Sequence, residues 1–586
     1  MTMGEVRRMS RRWPAILVAG LVACGGTGGG GDVLPGGAYE ALEVGAETGG
    51  SDAIETNAVD ALPELCTVSC PAAPLEVATA GGVVRGVAID VPVDAGATTA
   101  PVRVYKGIPY AAPPVGDLRF RSPRPALVRA DVLDATAFGP ACMQGANPMS
   151  DATSYSEDCL TLNVWAPGVD RRRPSPVVVF VHGGGYIMGS ATSATLDGSH
   201  WAAAYGVITV TFNYRLGPFG FLAHPALTAE DPAHPASGNW GLEDQRAALL
   251  WVRDNIAAFG GDPANVTLAG QSAGGMSVAL QAVSPPAKGL FRRVVVESAF
   301  AYENLATLAQ AEAQGQQLAE ALGCAGDDTL TCLRAAPAKD VLDALTLKNG
   351  IFFGEGAAWN PWVDGLTVPD QPHARIVAGA ASDLEVILGS NGDEGSLLRF
   401  LAFTAGVKPA DYEPFVRGVF LDLADTVLAR YPLEAYASPN AAMDALLGHF
   451  VFVCPSRRTA RAFRDAGSPV LLYRFLHAPG FLPLPGAASY HTAELPFVFD
   501  APPKGRTFTA DQAALAAAMS GAWAAFAAGG PAAVGSLDAA RDGSTWAPMP
   551  AGSDAHAVWD VGALPGQGVD YEAEACDFWD TLAARP

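Results

Sequence analysis

Gly270-Gln271-Ser272-Ala273-Gly274 sets a serine between small residues at a point where the sequence changes character. Val266 to Ala269, just before it, reads as a buried strand, and Met276 to Ala282, just after, reads as a helical run. Small residues two before and two after the serine permit a sharp strand-to-helix turn that projects Oγ above a sheet edge. The helix N-terminus then offers unpaired N–H groups to a developing oxyanion. A bare G-x-S-x-G arises by chance in a chain with 65 glycines; the strand–helix context gives this one its weight.

Upstream, His182-Gly183-Gly184-Gly185 directly follows the apolar run Val177 to Val181. Consecutive glycines let backbone N–H groups turn towards a reacting carbonyl, so the amides of Gly184, Gly185 and Ala273 form a candidate oxyanion hole. A serine nucleophile needs a base, and the base an orienting acid. Of the nine histidines, His182 sits in the glycine loop, His449 reads as core, and His200, His224, His234, His373 and His556 lie in polar or turn-like stretches. His477, at the end of the strand-like run Val470 to Phe475, competes with His491, which follows a Gly/Pro-rich loop. For the acid, Gly392-Asp393-Glu394-Gly395 follows the run ending at Leu388. The order serine, acid, histidine is that of α/β-hydrolases. Spacing alone separates neither Asp393 from Glu394 nor His477 from His491.

These residues need a rigid frame. Val177 to Val181, Val207 to Phe212, Val266 to Ala269, Val294 to Val296, Val386 to Leu388 and Val470 to Phe475 are β-branched runs with little polar alternation, the pattern of strands buried on both faces. Asn239 to Phe259 carries helical spacing through Leu242, Leu249, Val252 and Ile256. Strands alternating with helices predict an α/β fold with a mostly parallel central sheet covered on both faces. Val83 to Arg103 is expected to form a small antiparallel hairpin region ahead of it.

The chain has 586 residues, 49% hydrophobic and 17% charged, enough for a large core and a poor fit to coiled coil or wholesale disorder. Its formal charge of −23 would be repelled by phosphate backbones, which argues against nucleic acid as a partner. Residues 1–23 read as an export signal: Arg7, Arg8, Arg11 and Arg12 precede an apolar run too short to span a bilayer. Leu21-Val22-Ala23-Cys24 resembles a bacterial lipobox, which would lipidate Cys24 and attach the chain to a membrane of the cell envelope. Residues 24–76, Gly-rich and acidic, read as a tether, of which a 40-residue coil would span about 35 Å. Residues 77–586 form the expected body. Eight cysteines besides Cys24 suit an oxidising compartment. Cys66 and Cys70, Cys142 and Cys159, and Cys324 and Cys332 make local patterns, leaving Cys454 and Cys576. No His or second Cys pair stands at zinc-finger spacing.

With these motifs in place the chain resembles the type-B carboxylesterases, the family of cholinesterases and bacterial para-nitrobenzyl esterases. The resemblance rests on Tyr105 to Phe120, Glu157 to Trp165, His182 to Ser190, Asn213 to Leu222, Gly238 to Gly275, Gly392 to Gly395 and His491 to Phe499. It implies an α/β-hydrolase fold and a Ser272–His491–Glu394 triad, with Glu394 rather than Asp393 as the acid and His477 left structural. It also implies disulfides Cys142–Cys159, Cys324–Cys332 and Cys454–Cys576, whereas Cys66–Cys70 lies outside the family region. Arg119 with Glu157 and Arg215 with Asp244 match scaffold ion pairs of the relatives.

The implied activity is carboxylic-ester hydrolysis through an acyl-enzyme, on short-chain or aromatic esters, with no metal or organic cofactor. A long-chain lipase is the nearest rival, and a non-catalytic binding module another; amide hydrolysis shares the first step. The loop Met143 to Asp158 lacks the Trp with which cholinesterases bind quaternary ammonium, which argues against choline esters. Gln271 stands where many relatives have Glu. Phe352, Phe353, Trp359, Trp362, Phe400 and Phe403 are candidates for lining a substrate pocket.

Overall fold

The β-branched runs form the centre of one eleven-stranded sheet in the computed structural model. The structure describes residues 73–583 apart from 94–97, 146–151, 170, 348–356, 483–485, 487 and 542–545. The expected signal, Cys24, most of the tether, the Cys66–Cys70 pair, Phe352 and Phe353 lie outside the described residues. Ala73, the first described residue, is buried and donates its N–H to Gly168 O at 3.1 Å.

In chain order the strands are β1 (Val87–Val93), β2 (Thr98–Pro109), β3 (Thr161–Pro167), β4 (Ser175–Val181), β5 (Ile208–Phe212), β6 (Gly261–Gln271), β7 (Arg293–Glu297), β8 (Glu385–Asn391), β9 (Val470–Phe475), β10 (His556–Asp560) and β11 (Ala563–Gly568). They lie side by side as β11-β10-β9-β8-β7-β6-β4-β5-β3-β2-β1. From β5 to β10 every pairing is parallel. Antiparallel pairs extend both edges.

The expected hairpin region divides. Gly82–Arg85 pairs with Glu76–Thr79 in a small separate sheet, which also takes up Leu133–Asp134. Residues from Val87 onward instead join the main sheet, because β2 pairs along β3 from Val102 to Pro109.

Side chains alternate between two cores. Val177, Val179 and Val181 face one, while Val178 and Phe180 face the other. Burial on both faces explains why β4 reads as an unbroken apolar run, with each such side chain contributing about 1.5–3 kcal/mol. On the first face, helices α1 (Trp240–Asn255) and α2 (Ala273–Val283) bury Leu242, Leu249, Val252 and Val278. On the second lies a long helix, α5 (Ala510–Arg541), which bends at Gly529 and Gly530. It is long and apolar enough to cross a membrane, yet 72% of its most apolar stretch is buried, so it serves here as a core helix. Two further helices, α3 (Gly395–Ala402) and α4 (Cys454–Asp465), precede it, and α6 (Ala573–Ala583) follows.

Three disulfides close the frame: Cys142–Cys159, Cys324–Cys332 and Cys454–Cys576, the last fastening α6 to α4. Both scaffold ion pairs form. Arg119 Nε donates to Glu157 at 2.7 Å, and Arg215 grips the fully buried Asp244 at 2.7 and 2.8 Å.

Candidate active site

Strand β6 ends at Gln271 and α2 begins at Ala273, so Ser272 makes the whole turn alone. It does so at φ 57° and ψ −127°, a conformation that costs a non-glycine residue about 1–3 kcal/mol. Glycine is required on the far side of the turn: a Cβ on Gly274 would stand 2.0 Å from Val181 O. The turn is tied down by Ser272 N–H donating to Glu297 O at 2.9 Å, across to β7. Ser272 is 7% exposed.

The glycine loop after β4 packs directly on this turn. A Cβ on Gly183 would meet Ser272 Cβ at 3.0 Å, and Gly184 and Gly185 both adopt positive φ. Among the described residues, the amides of Gly184, Gly185 and Ala273 donate to no backbone or side-chain acceptor. His182, at the head of the loop, is buried and stacked on Tyr214 with ring centroids 4.5 Å apart. Burial holds its imidazole down at about 4, so it is neutral and structural.

Glu394 lies just past the C-terminal end of β8, at the start of α3, and is completely buried. Its Oε2 is 2.6 Å from His491 Nδ1, and its Oε1 accepts the Asn391 amide at 2.6 Å. Its neighbour Asp393 faces elsewhere, accepting from the amides of Ser396 and Ala488. The structure therefore separates the two acids that spacing left equivalent. It separates the histidines too: His477 lies by Gln512 and Asp560, away from Glu394.

The His491 ring is stacked face to face on Phe452, with centroids 4.3 Å apart. Its Nε2 lies 3.4 Å from Gln271 Nε2, which brings the imidazole to the Ser272 turn. An imidazole held at Nδ1 by a carboxylate presents Nε2 as the basic atom.

Behind this pair stands a residue that the sequence reading passed over. Glu494, fully buried, accepts from the Asn391 side-chain amide and lies 3.4 Å from Ser298 Oγ. Burial, reinforced by the Glu394 charge, pushes its carboxyl up to about 7. Its place three residues after His491 was its only sequence signal. Of the aromatic candidates, Trp359 and Trp362 are buried, Trp362 donating to Phe221 O, and Phe403 packs on Phe415. Phe452, which the sequence reading did not single out, is the aromatic against His491.

The profile of the Carboxylesterase family matches residues 73–579. The chain is 39% identical over 420 residues to the para-nitrobenzyl esterase of Bacillus subtilis, covering 69% of this chain and 80% of that one. It is 36% identical to the fumonisin B1 esterase of Sphingopyxis macrogoltabida (73% and 78% covered) and 32% identical to the acetylcholinesterase of Bungarus fasciatus (88% of each). The mixed sheet with helices on both faces is the α/β-hydrolase fold of that family. A match across nearly the whole described body makes this chain a member of the carboxylesterase family, a hydrolase of carboxylic esters.

Proposed function

We propose that Ser272, His491 and Glu394 are the catalytic triad, and that Gly184, Gly185 and Ala273 supply the oxyanion hole. The 2.6 Å contact between His491 Nδ1 and the buried Glu394 carries this reading. The carboxylate keeps the proton on Nδ1 and leaves the Nε2 lone pair facing the turn. Nε2 takes the Ser272 proton as Oγ attacks the ester carbonyl, and the three amides hold the oxyanion of the tetrahedral intermediate. The imidazolium then protonates the leaving alcohol. Water, activated by the same Nε2, hydrolyses the acyl-enzyme and regenerates the serine. Because the base must be neutral, turnover falls as acid protonates it.

Short-chain or aromatic esters are the proposed substrates. A nucleophile only 7% exposed, beside a histidine stacked on Phe452, favours a compact acyl group. Residues 1–23 act as the export signal, Cys24 as the lipid anchor, 24–76 as the tether and 77–586 as the catalytic body, held in the cell envelope. Three disulfides are in keeping with an oxidising compartment.

The test is hydrolysis of para-nitrophenyl acetate, butyrate and palmitate by the wild type beside Ser272→Ala. Fast turnover of the short esters, abolished in the variant, is expected. Preference for emulsified palmitate would replace this reading with a lipase, and turnover that survives Ser272→Ala would refute the triad.

A further inference from the structure

Glu297 closes β7 directly beneath the nucleophile turn and takes no part in the chemistry just described. Its main chain and side chain bind different layers of the fold. The carbonyl accepts the Ser272 N–H at 2.9 Å, while carboxyl Oε1 accepts Trp523 Nε1 of α5 at 2.7 Å. The other oxygen, Oε2, is buried without a hydrogen-bond partner. Beside it lies a cavity of about 10 Å³ walled by Val178, Phe180, Trp201, Val295 and Val498.

The groups facing this carboxyl give it no counter-charge. From β9 comes the buried Tyr473 hydroxyl, from α5 the indole N–H, and from the segment after His491 the Glu494 carboxyl. Glu394 stands beyond Glu494. Among the described residues, no Lys or Arg forms an ion pair with Glu297 or Glu494. An ionised carboxylate buried under these conditions is strongly disfavoured against its neutral form. Burial first, then the Glu494 charge, push the Glu297 carboxyl well above the ordinary range.

We propose that Glu297 is a neutral carboxylic acid and a positioning residue of the triad, joining the Ser272 turn to α5 without adding a negative charge behind His491. The inference rests on the triad reading. A third buried carboxylate would stabilise the imidazolium and leave less of His491 in its neutral, reactive form at neutral pH. A neutral acid keeps the mechanical link and avoids that cost.

Infrared spectra of wild type and Glu297→Gln at pH 9, above the range in which Glu494 titrates, test the protonation state without substrate. The wild type is expected to show the C=O stretch of a protonated carboxyl, and the variant to lack it. In kinetics with para-nitrophenyl acetate, Glu297→Gln keeps kcat within about twofold, and the acid limb of its kcat/KM profile overlays that of the wild type. Glu297→Leu, which leaves the Trp523 N–H unpaired and unties the end of β7 from α5, loses about tenfold in kcat at unchanged KM. Recovery in Gln over Leu marks a positioning role. An unchanged infrared band, or a Glu297→Gln acid limb displaced to lower pH, would overturn the proposal. If Glu297→Leu fails to fold, the Gln variant alone decides. A wild type that hydrolyses no ester would sink the triad reading separately, since the infrared band needs no turnover.

Discussion

The side-chain nitrogen of Gln271 stands 3.4 Å from Nε2 of His491, so the residue preceding the proposed nucleophile Ser272 touches the ring expected to deprotonate that serine. A neutral amide there leaves the ring's charge to the acids on its Nδ1 side. Replacing that amide with a glutamate side chain would put a carboxylate against Nε2 and stabilise the imidazolium. The neutral base then becomes scarcer at a given pH. Gln271→Glu should displace the acid limb of kcat/KM upward by about one pH unit and leave the rate at pH 9 within about threefold. A pH profile with para-nitrophenyl butyrate checks this, and a limb that moves down would contradict it.

Glu394 accepts from both His491 and the Asn391 amide and is wholly buried, so its loss cannot be repaired by solvent. Glu394→Gln should lower kcat by about 10³–10⁴-fold with little change in KM, because the amide no longer fixes the Nδ1–H tautomer. The corresponding change to the amide at Asp393, whose oxygens serve Ser396 and Ala488, should cost less than about tenfold. Equal losses at both positions would show that the acid was wrongly assigned.

That contrast also marks how far the sequence could be read. The nucleophile turn and glycine loop were legible because local backbone geometry demands their glycines, as the contact of Gly274 with Val181 O makes plain. The central strands were legible because burial on two faces removes polar alternation. Asp393 and Glu394 were not separable by spacing, since both follow the same strand; the distinction lies in the turn beyond Asn391, which sends one inward. Glu297 left no local mark, and Glu494 only its place three residues after His491, because their partners Trp523 and Asn391 lie 226 and 103 residues away in the chain. Phe452 meets His491 only through packing of distant elements. The hairpin of Val83 to Arg103 was divided by pairing with β3, a partner that periodicity does not name.

Cys454–Cys576 spans a sequence separation of 122 residues and binds α6 to the body. The double variant Cys454→Ser/Cys576→Ser should lose about 2–4 kcal/mol of stability. Urea denaturation of the oxidised proteins measures it. Para-nitrophenyl acetate turnover by the folded variant should stay within about threefold, since neither cysteine lies in the proposed triad. A variant as stable as the wild type would remove the disulfide from the account of the fold.

His234 couples stability to pH in a direction that can be worked out. Its Nε2 lies 2.8 Å from the buried Glu243 carboxylate, and its side chain is 27% exposed. The hydrogen bond to Glu243 outweighs burial and raises the imidazole from 6.5 to about 9, while the Glu243 carboxyl is lowered. A folded value above the unfolded one means that the folded protein holds this proton more tightly. The stabilisation is therefore complete below about pH 6.5 and drains away as pH rises through about 9. After allowance for solvent screening it amounts to about 2 kcal/mol. His234→Gln should be less stable than the wild type by that amount at pH 6 and nearly equal to it at pH 10. Urea midpoints at pH 6, 8 and 10 give the difference directly. A gap that stays constant across this range would mean that the His234–Glu243 contact holds by packing and not by charge.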